Sequence, residues 1–196
     1  MKLVLASHNP GKIREIQALL PLEIVSQASL GVHEVDEPYP TFLENALAKA
    51  RHASQAARLA ALADDSGLCV EAICGAPGVH SAYYAGREGD RETRDRRNNE
   101  KLLSQLGDNR AAYYCCVMVL VRHPEDPRPL VAEGLWRGEI ARAPRGTNGF
   151  GYDPLFYLPQ LRKTAAELDP AEKNRISHRA LALASLLELL NAADRP

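Results

Sequence analysis

Hydrophobic residues follow two different periods along the first part of the chain. The apolar runs KLVLAS and LEIVSQ are typical of short strands, whereas Ile13, Ile16, Leu19 and Leu20 between them recur at helical spacing. Farther on, RAAYYCCVMVLVRH is the strongest strand pattern, and PLVAEGLWRGEIA predicts a strand that pairs back on it as a hairpin. This order of elements favours an α/β fold with a mixed twisted sheet flanked by helices.

Local signals at the ends of these runs indicate where helices begin. Asn9 followed by Pro10 is typical of a helix cap and the first helical position. Thr41 and Glu44 have the spacing of a capping box, and an Ala-rich helix is predicted after them. DRETRDRRNNEKLLSQLG predicts a polar helix, and a last helix is predicted from about residue 177. AALADDSGLCVEAI, by contrast, predicts two strands around a turn at residues 64–67.

Composition narrows the class of protein. The chain has 196 residues, which fits one domain, and its 24 Lys and Arg against 25 Asp and Glu give a net charge of −1. That balance disfavours binding of nucleic acid through bulk positive charge. The longest apolar run is too short to cross a membrane and the N-terminus lacks the layout of a signal peptide, so a soluble, cytoplasmic protein is expected. The cysteines have no CxxC spacing and are expected to be buried free thiols: Cys69, Cys74, Cys115 and Cys116.

The stretch SHNPGK lies where the first strand passes into the first helix. A tight turn accounts for Asn, Pro and Gly but not for Lys12. Backbone N–H groups at a helix N-terminus carry partial positive charge, so a lysine there would complete a phosphate cradle without the P-loop sequence. The alternative is a solvated lysine on an exposed helix face.

The stretch ADDSGL places two adjacent carboxylates, Asp64 and Asp65, beside Ser66. Adjacent carboxylates repel one another unless a cation offsets their charge, and Mg²⁺ prefers oxygen ligands shared with substrate phosphates. One carboxylate could also act as a general base on water. Glu37, in the acidic segment HEVDEP, could add a further carboxylate. The alternatives are a plain Asx turn and a solvated acidic loop.

Two later stretches carry groups suited to a flat ligand. In GFGYDP, glycines around Phe150 would let a backbone approach a base, with the ring as a stacking surface. In EKNRISHR, Lys173, His178 and Arg179 could donate to carbonyl or phosphate oxygens. A packed turn and a solvated helix face are the respective alternatives.

Together these stretches resemble the inosine triphosphate pyrophosphatases, which act on non-canonical purine nucleoside triphosphates. SHNPGK is similar to the family's [ST]xNxxK signature, and FLENALAKA, ADDSGL, GAPGVHSA, GFGYDP and KTAAEL…EKNRISHR are similar to later blocks in the same order. The resemblance covers essentially the whole chain. It implies a single ITPase-like domain over residues 1–196 with an elongated, two-lobed, Maf-related fold and the active site in a cleft between the lobes.

The resemblance also implies a reaction. ITP, dITP or XTP would be hydrolysed to the monophosphate and pyrophosphate with Mg²⁺, by a homodimer that cleanses the nucleotide pool. By matching position, Asp65 would be the general base and, with Glu37, a metal ligand, while Lys49 and Ser66 would contact substrate. The triphosphate would be held by Ser7, His8, Asn9, Pro10, Gly11 and Lys12. Base and sugar would be held by Phe150, Gly151, Tyr152 and Asp153, and the purine would be read by Lys173, His178 and Arg179.

The chain departs from the family pattern at one block. The family's SAR motif reads Ser81-Ala82-Tyr83 here, so Tyr83 stands in place of the usual Arg. We expect this change to weaken substrate binding slightly, with Arg87 nearby offsetting part of the loss.

Two other functions remain open from the sequence. The Maf-type nucleotide pyrophosphatases have a similar fold and N-terminal start, but usually carry paired Arg where this chain has Gly11 and Lys12. A non-catalytic nucleotide-binding regulator is the second alternative. The acid pair Asp64 and Asp65 argues against it, because a protein that only binds phosphates gains little from carboxylates that face them.

Overall fold

The computed structural model describes residues 2–20 and 22–193. Seven strands form one sheet in the order β2-β1-β3-β4-β5-β6-β7. The strands are β1 (Lys2–Leu5), β2 (Glu23–Ser26), β3 (Ala60–Val70), β4 (Ala111–Val121), β5 (Leu130–Ile140), β6 (Phe156–Leu158) and β7 (Lys163–Thr164). The helices are α1 (Pro10–Leu19), α2 (Phe42–Ala57), α3 (Arg91–Gln105), α4 (Pro170–Ile176) and α5 (His178–Ala193).

The sheet is mixed, as the order of elements predicted. β1 runs parallel to both β2 and β3, whereas β6 is antiparallel to β5 and to β7. β5 lies next to β4 in the sheet, as predicted for the hairpin. The α/β fold class with a mixed sheet and flanking helices is therefore confirmed.

The chain divides into two compact units, and each has its own hydrophobic core. Unit 1 contains residues 1–65, 116–134 and 177–196, and unit 2 contains residues 66–115 and 135–176. In unit 1, apolar residues of the sheet such as Leu62 and Met118 pack with Leu183 of α5. In unit 2, Tyr114, Trp136 and other buried side chains form the core. The single domain in two lobes remains a prediction.

Local capping signals located helix starts correctly. The side chain of Asn9 accepts hydrogen bonds from Gly11 N (2.9 Å) and Lys12 N (3.3 Å), and Pro10 is the first residue of α1. Thr41 caps α2 by accepting from Glu44 N at 3.2 Å. These hydrogen bonds satisfy N–H groups that a helix start otherwise leaves unpaired.

The predicted turn at residues 64–67 is wrong. β3 runs without a break from Ala60 to Val70, with Asp64 and Asp65 buried in its middle. The Asp-Asp-Ser-Gly composition is typical of a turn, but neighbouring cations pair with both carboxylates inside the strand, which removes the reason for them to reach solvent.

The structure also tests the expectations for the cysteines and for a membrane-spanning helix. The expectation of buried free thiols is confirmed for Cys69, Cys115 and Cys116 and is wrong for Cys74, which is free but exposed. Within the described residues, no helix is both long enough and apolar enough to cross a membrane.

Candidate active site

The SHNPGK stretch forms a rigid, capped helix start. Ser7 lies two residues after the end of β1 and is buried, and its hydroxyl accepts from Asn9 N at 3.2 Å. Asn9 in turn caps α1, so the side chains of Ser7 and Asn9 both hold backbone N–H groups of this stretch. Lys12 lies in the first turn of the helix, where its backbone N–H is bound by the Asn9 side chain. The N–H groups of Asn9, Gly11 and Lys12 are thus bound within the stretch itself, and its contact with phosphate oxygens remains a prediction.

Lys12 belongs to a buried network of alternating charges. Its Nζ lies 3.1 Å from Oδ2 of Asp64, and the same oxygen lies 3.2 Å from Nη2 of Arg179. Arg179 also contacts Glu15 of α1 through Nη1. Arg179 is 1% exposed, so its charge is neutralised by these two carboxylates rather than by water.

Asp65 belongs to a second network. Its Oδ1 lies 3.2 Å from Nζ of Lys49, which also pairs with Glu37. Asn45 of α2 donates to Oδ2 of Asp65 at 3.3 Å, and its amide also exchanges hydrogen bonds with the backbone of Tyr39. Asn45 and Lys49 are one helical turn apart on α2, so one face of that helix orients the carboxylate.

The alternation of side chains along a strand separates the two acids. Because neighbouring residues of a strand point to opposite faces, Asp64 reaches Lys12 and Arg179 while Asp65 reaches Lys49 and Asn45. The mutual repulsion of adjacent carboxylates is thus reduced by direction as well as by cations.

The pKa values of the two acids move in opposite directions. Burial alone would raise the pKa of Asp64, but the cations Lys12, Arg179 and Lys49 hold it well below its usual range. Burial raises the pKa of Asp65, and the Glu37 carboxylate adds to this, although Lys49 and Lys12 oppose it. Paired carboxylates with divergent pKa values are typical of sites where one acid stays charged and the other exchanges protons.

Lys49 holds together the predicted metal ligands. Burial lowers the pKa of Lys49, but the carboxylates of Asp65, Glu37 and Asp64 outweigh this, so the pKa is raised and the ammonium stays charged. Glu37 and Asp65 therefore already converge on one cation. Among residues 2–20 and 22–193, no group of three or more His, Cys, Asp or Glu could hold a metal. Two carboxylates fit Mg²⁺ that takes its remaining ligands from substrate phosphates and water.

The GFGYDP loop of unit 2 is built around Asp153. Its Oδ2 accepts from Phe150 N at 2.9 Å and pairs with Nζ of Lys173 at 2.6 Å. Gly149 has a φ of +76°, and a Cβ there would collide with the Asp153 carboxylate. Lys173 Nζ also lies 4.8 Å from the centroid of the Phe150 ring. The predicted residues Phe150, Asp153 and Lys173 are therefore brought together.

Helix α3 contributes residues that the sequence patterns did not identify. Asp95 Oδ2 accepts from Gly151 N at 2.9 Å, and Asn99 Nδ2 donates to Gly151 O at the same distance. The guanidinium of Arg91 lies 4.6 Å from the Phe150 ring centroid. Arg91, Asp95 and Asn99 follow each other at intervals of four residues, and this polar stripe on one helix face was the available signal.

The remaining predicted residues have structural partners of their own. His8 Nδ1 lies 3.3 Å from Glu34 Oε1, and Ser66 is half-buried in β3. Tyr152 is 3% exposed and donates to Ser81 O at 2.9 Å. His178 is buried at the first position of α5, where a Cβ at Gly134 would collide with its backbone. Their contacts to substrate remain predictions.

Known proteins are similar to this chain over nearly its whole length. A model of the Ham1 family matches residues 3–189. The chain is 61% identical over 194 residues to a dITP/XTP pyrophosphatase of Burkholderia pseudomallei, with 96% of this chain and 93% of that protein covered. It is 58% identical over 195 residues to a dITP/XTP pyrophosphatase of Nitrosomonas europaea, with 97% and 94% covered.

A solved structure is also similar over nearly the whole chain. The HAM1 protein of Coxiella burnetii superimposes with a TM-score of 0.89 at 46% identity, with 98% of this chain and 99% of that chain covered. These matches do not favour the Maf-type alternative. The chain belongs to the Ham1 family.

Proposed function

We propose that this protein is a hydrolase that cleaves non-canonical purine nucleoside triphosphates, dITP, XTP and ITP, to the monophosphate and pyrophosphate. The observation that carries the proposal is the 61% identity, over 96% of the chain, to a protein named dITP/XTP pyrophosphatase. The paired acids of β3 and their lysines supply a chemical basis for that activity.

The residues of unit 1 would bind the triphosphate and activate water. Lys12 would hold phosphate oxygens at the positive end of the α1 dipole. The N–H groups of Asn9, Gly11 and Lys12 would join it only after release from the side chains of Ser7 and Asn9. Asp65 would accept a proton from water, since its raised pKa makes it a stronger base than an ordinary aspartate. Asn45 and Lys49 would keep its carboxylate in position.

Mg²⁺ is part of the proposal. Glu37 and Asp65 would hold it, and Lys49, which lies between these carboxylates, would pair with phosphate oxygens instead. When bound, Mg²⁺ would supply charge stabilisation to the phosphate oxygens.

Recognition of the base would rest on hydrogen-bond direction. Hypoxanthine and xanthine carry a 6-oxo acceptor where adenine carries an amino donor. Donors from Lys173 or His178 would therefore pair with the oxo group and oppose adenine, and such mismatches discriminate strongly. Arg179 is buried and pairs with Asp64 and Glu15, so its predicted contact with the purine would require it to leave these carboxylates. Phe150 would stack on the base, next to backbone of Gly151 and Tyr152.

The proposal also includes the homodimer and the cytoplasmic location that the family resemblance implies.

The test is a panel of triphosphates with Mg²⁺. We expect kcat/KM for release of pyrophosphate from dITP, ITP and XTP to exceed that for dATP and the pyrimidine triphosphates. Higher activity on pyrimidine nucleotides would support the Maf-type alternative. Binding of dITP without any release of pyrophosphate would support the non-catalytic regulator.

A further inference from the structure

We propose that Arg91 is a further specificity-determining residue, whose guanidinium donates to the O6 and N7 acceptors of a 6-oxopurine stacked on Phe150. This inference rests on the proposed function and adds a residue outside the matched motifs. The residues on which the inference rests, Arg91, Asp95, Phe150 and Lys173, all lie in unit 2.

Arg91 and Lys173 are the two cations that lie over the Phe150 ring in the described part of the chain. The Arg91 guanidinium carbon lies 4.6 Å from the ring centroid and Lys173 Nζ lies 4.8 Å from it. Lys173 is 5% exposed and bound to the Asp153 carboxylate at 2.6 Å. The Arg91 side chain is 38% exposed, so of the two it is the one with room to adjust to a ligand.

The distances place Arg91 in the layer that a stacked base would occupy. Stacked rings have centroids about 4.5–7 Å apart, which includes the separation between the Arg91 guanidinium and the Phe150 ring. Because the guanidinium lies over the ring in this structure, a purine that stacks on the same face would displace it to the side, where it would lie edge to edge with the base in the same layer. In that arrangement a planar guanidinium can donate two parallel hydrogen bonds to two neighbouring acceptors.

The electrostatics of the α3 helix dipole do not favour an arginine at this position. Arg91 is the first residue of α3, where the helix dipole disfavours a cation. Its Nε lies 3.8 Å from the Asp95 carboxylate, but Arg before Asp is the less favourable order for such a pair. Asp95 also accepts from Gly151 N at 2.9 Å, so the same carboxylate fixes both the base loop and the arginine.

The chemistry of the purine edge selects for the 6-oxo group. Hypoxanthine, xanthine and guanine all present O6 and N7 as neighbouring acceptors, whereas adenine presents N7 beside an amino donor. An arginine fork on that edge favours all the 6-oxopurines alike over adenine. Arg91 would thus discriminate dITP from dATP, and not dITP from dGTP.

The experiment compares Arg91→Ala, Arg91→Lys and Arg96→Ala for kcat/KM on dITP, dGTP, dATP and 7-deaza-dITP. Arg96 lies on the same helix with a 68% exposed side chain, so its variant is the matched control. In both Arg91 variants, we expect kcat/KM to fall by about tenfold or more on dITP and on dGTP and to stay unchanged on dATP. In the Arg96→Ala control, kcat/KM should stay unchanged on every substrate. For the wild type, kcat/KM should be lower on 7-deaza-dITP than on dITP by a similar factor. For Arg91→Ala, kcat/KM should be the same on 7-deaza-dITP and dITP.

Calorimetric binding of dIMP and dAMP tests the inference without turnover. The wild type should prefer dIMP, and in Arg91→Ala this preference should fall by about tenfold or more. An unchanged preference, an equal loss on all four triphosphates, or full discrimination in Arg91→Lys would each overturn the role of Arg91. Absence of pyrophosphate release from dITP in the wild type would instead overturn the proposed function, and the binding preference would still decide the inference.

Discussion

The clusters around Asp64 and Asp65 in unit 1 and around Phe150 in unit 2 handle charge in different ways. In unit 1, carboxylates and cations alternate, and Asp64 binds two cations through one oxygen. In unit 2, one carboxylate, Asp153, binds a backbone N–H and Lys173, and an aromatic ring lies against the cations. The first arrangement suits phosphate and proton transfer, and the second suits a flat, uncharged ring that presents hydrogen-bonding edges.

The largest expected effect is on catalysis in unit 1. Asp65→Asn should lower kcat for dITP by about 10²–10⁴-fold, because an amide cannot accept the proton of water. Its thermal midpoint should not fall, since burial disfavours the charged form of Asp65 and the substitution removes that charge. The assay measures release of pyrophosphate, and circular dichroism measures the midpoint. Turnover near that of the wild type would exclude Asp65 as the base.

The second prediction compares the buried cations of the two units. Arg179→Met should lower the free energy of unfolding by about 3–5 kcal/mol, because Asp64 and Glu15 both lose a buried partner. Lys173→Met should lower the free energy of unfolding by less, since Phe150 N still donates to the Asp153 carboxylate that loses Lys173. Urea unfolding measures both. An equal or smaller loss for Arg179→Met would contradict the distinction between the units.

The third prediction, with a smaller expected effect, concerns how stability depends on pH. It involves Asp126, a carboxylate of unit 1 outside the candidate site. Asp126 is buried in the β4–β5 connection, where Arg122 Nη2 donates to it at 2.6 Å and Arg128 N at 2.9 Å. The Arg122 side chain holds the pKa of Asp126 well below its usual range. Its contribution to stability is therefore present above the unfolded pKa of about 3.9 and is lost as the pH falls below it.

Asp126→Asn should accordingly destabilise the protein by about 1–3 kcal/mol at pH 7 and by less at pH 3. Denaturant unfolding at the two pH values measures this. Asp108→Asn in unit 2 is the control: Arg142 also lowers the pKa of Asp108, but this pair is exposed and screened by water, so its effect on the pH dependence should be smaller. A difference between wild type and Asp126→Asn that does not change with pH would contradict the assignment.

The parts of this structure that the sequence predicted depend on local signals. Asn9, Thr41 and the strand patterns act through hydrogen bonds and alternation within a few residues, and these can be read from the chain. The turn predicted at residues 64–67 failed for the opposite reason. Whether Asp64 and Asp65 can be buried depends on cations from α1, α2 and α5, and no nearby residue indicates them.

The same distinction, between signals within a few residues and contacts between distant residues, applies to the candidate site. The motif residues Lys12, Asp65, Phe150 and Lys173 could be named because a known family carries them at matching positions. Glu15 could not, because its contact with Arg179 joins residues that are far apart in the chain. Arg91 was missed because a polar helix such as α3 is usually an exposed face, and only the Phe150 ring beside it gives the arginine a specific role.

The smallest expected effect tests the departure of this chain from the family pattern, within unit 2. Tyr83 carries the guanidinium groups of Arg87 and Arg94 at 4.3 and 5.6 Å from its ring centroid. Tyr83→Arg would add a charge to a surface that already presents two, so KM for dITP should fall only about two- to fivefold, within the range of an exposed ionic contact. Tyr83→Phe keeps the ring and should leave KM unchanged. An unchanged or higher KM for Tyr83→Arg would mean that the arginines beside Tyr83 already supply what the family arginine provides.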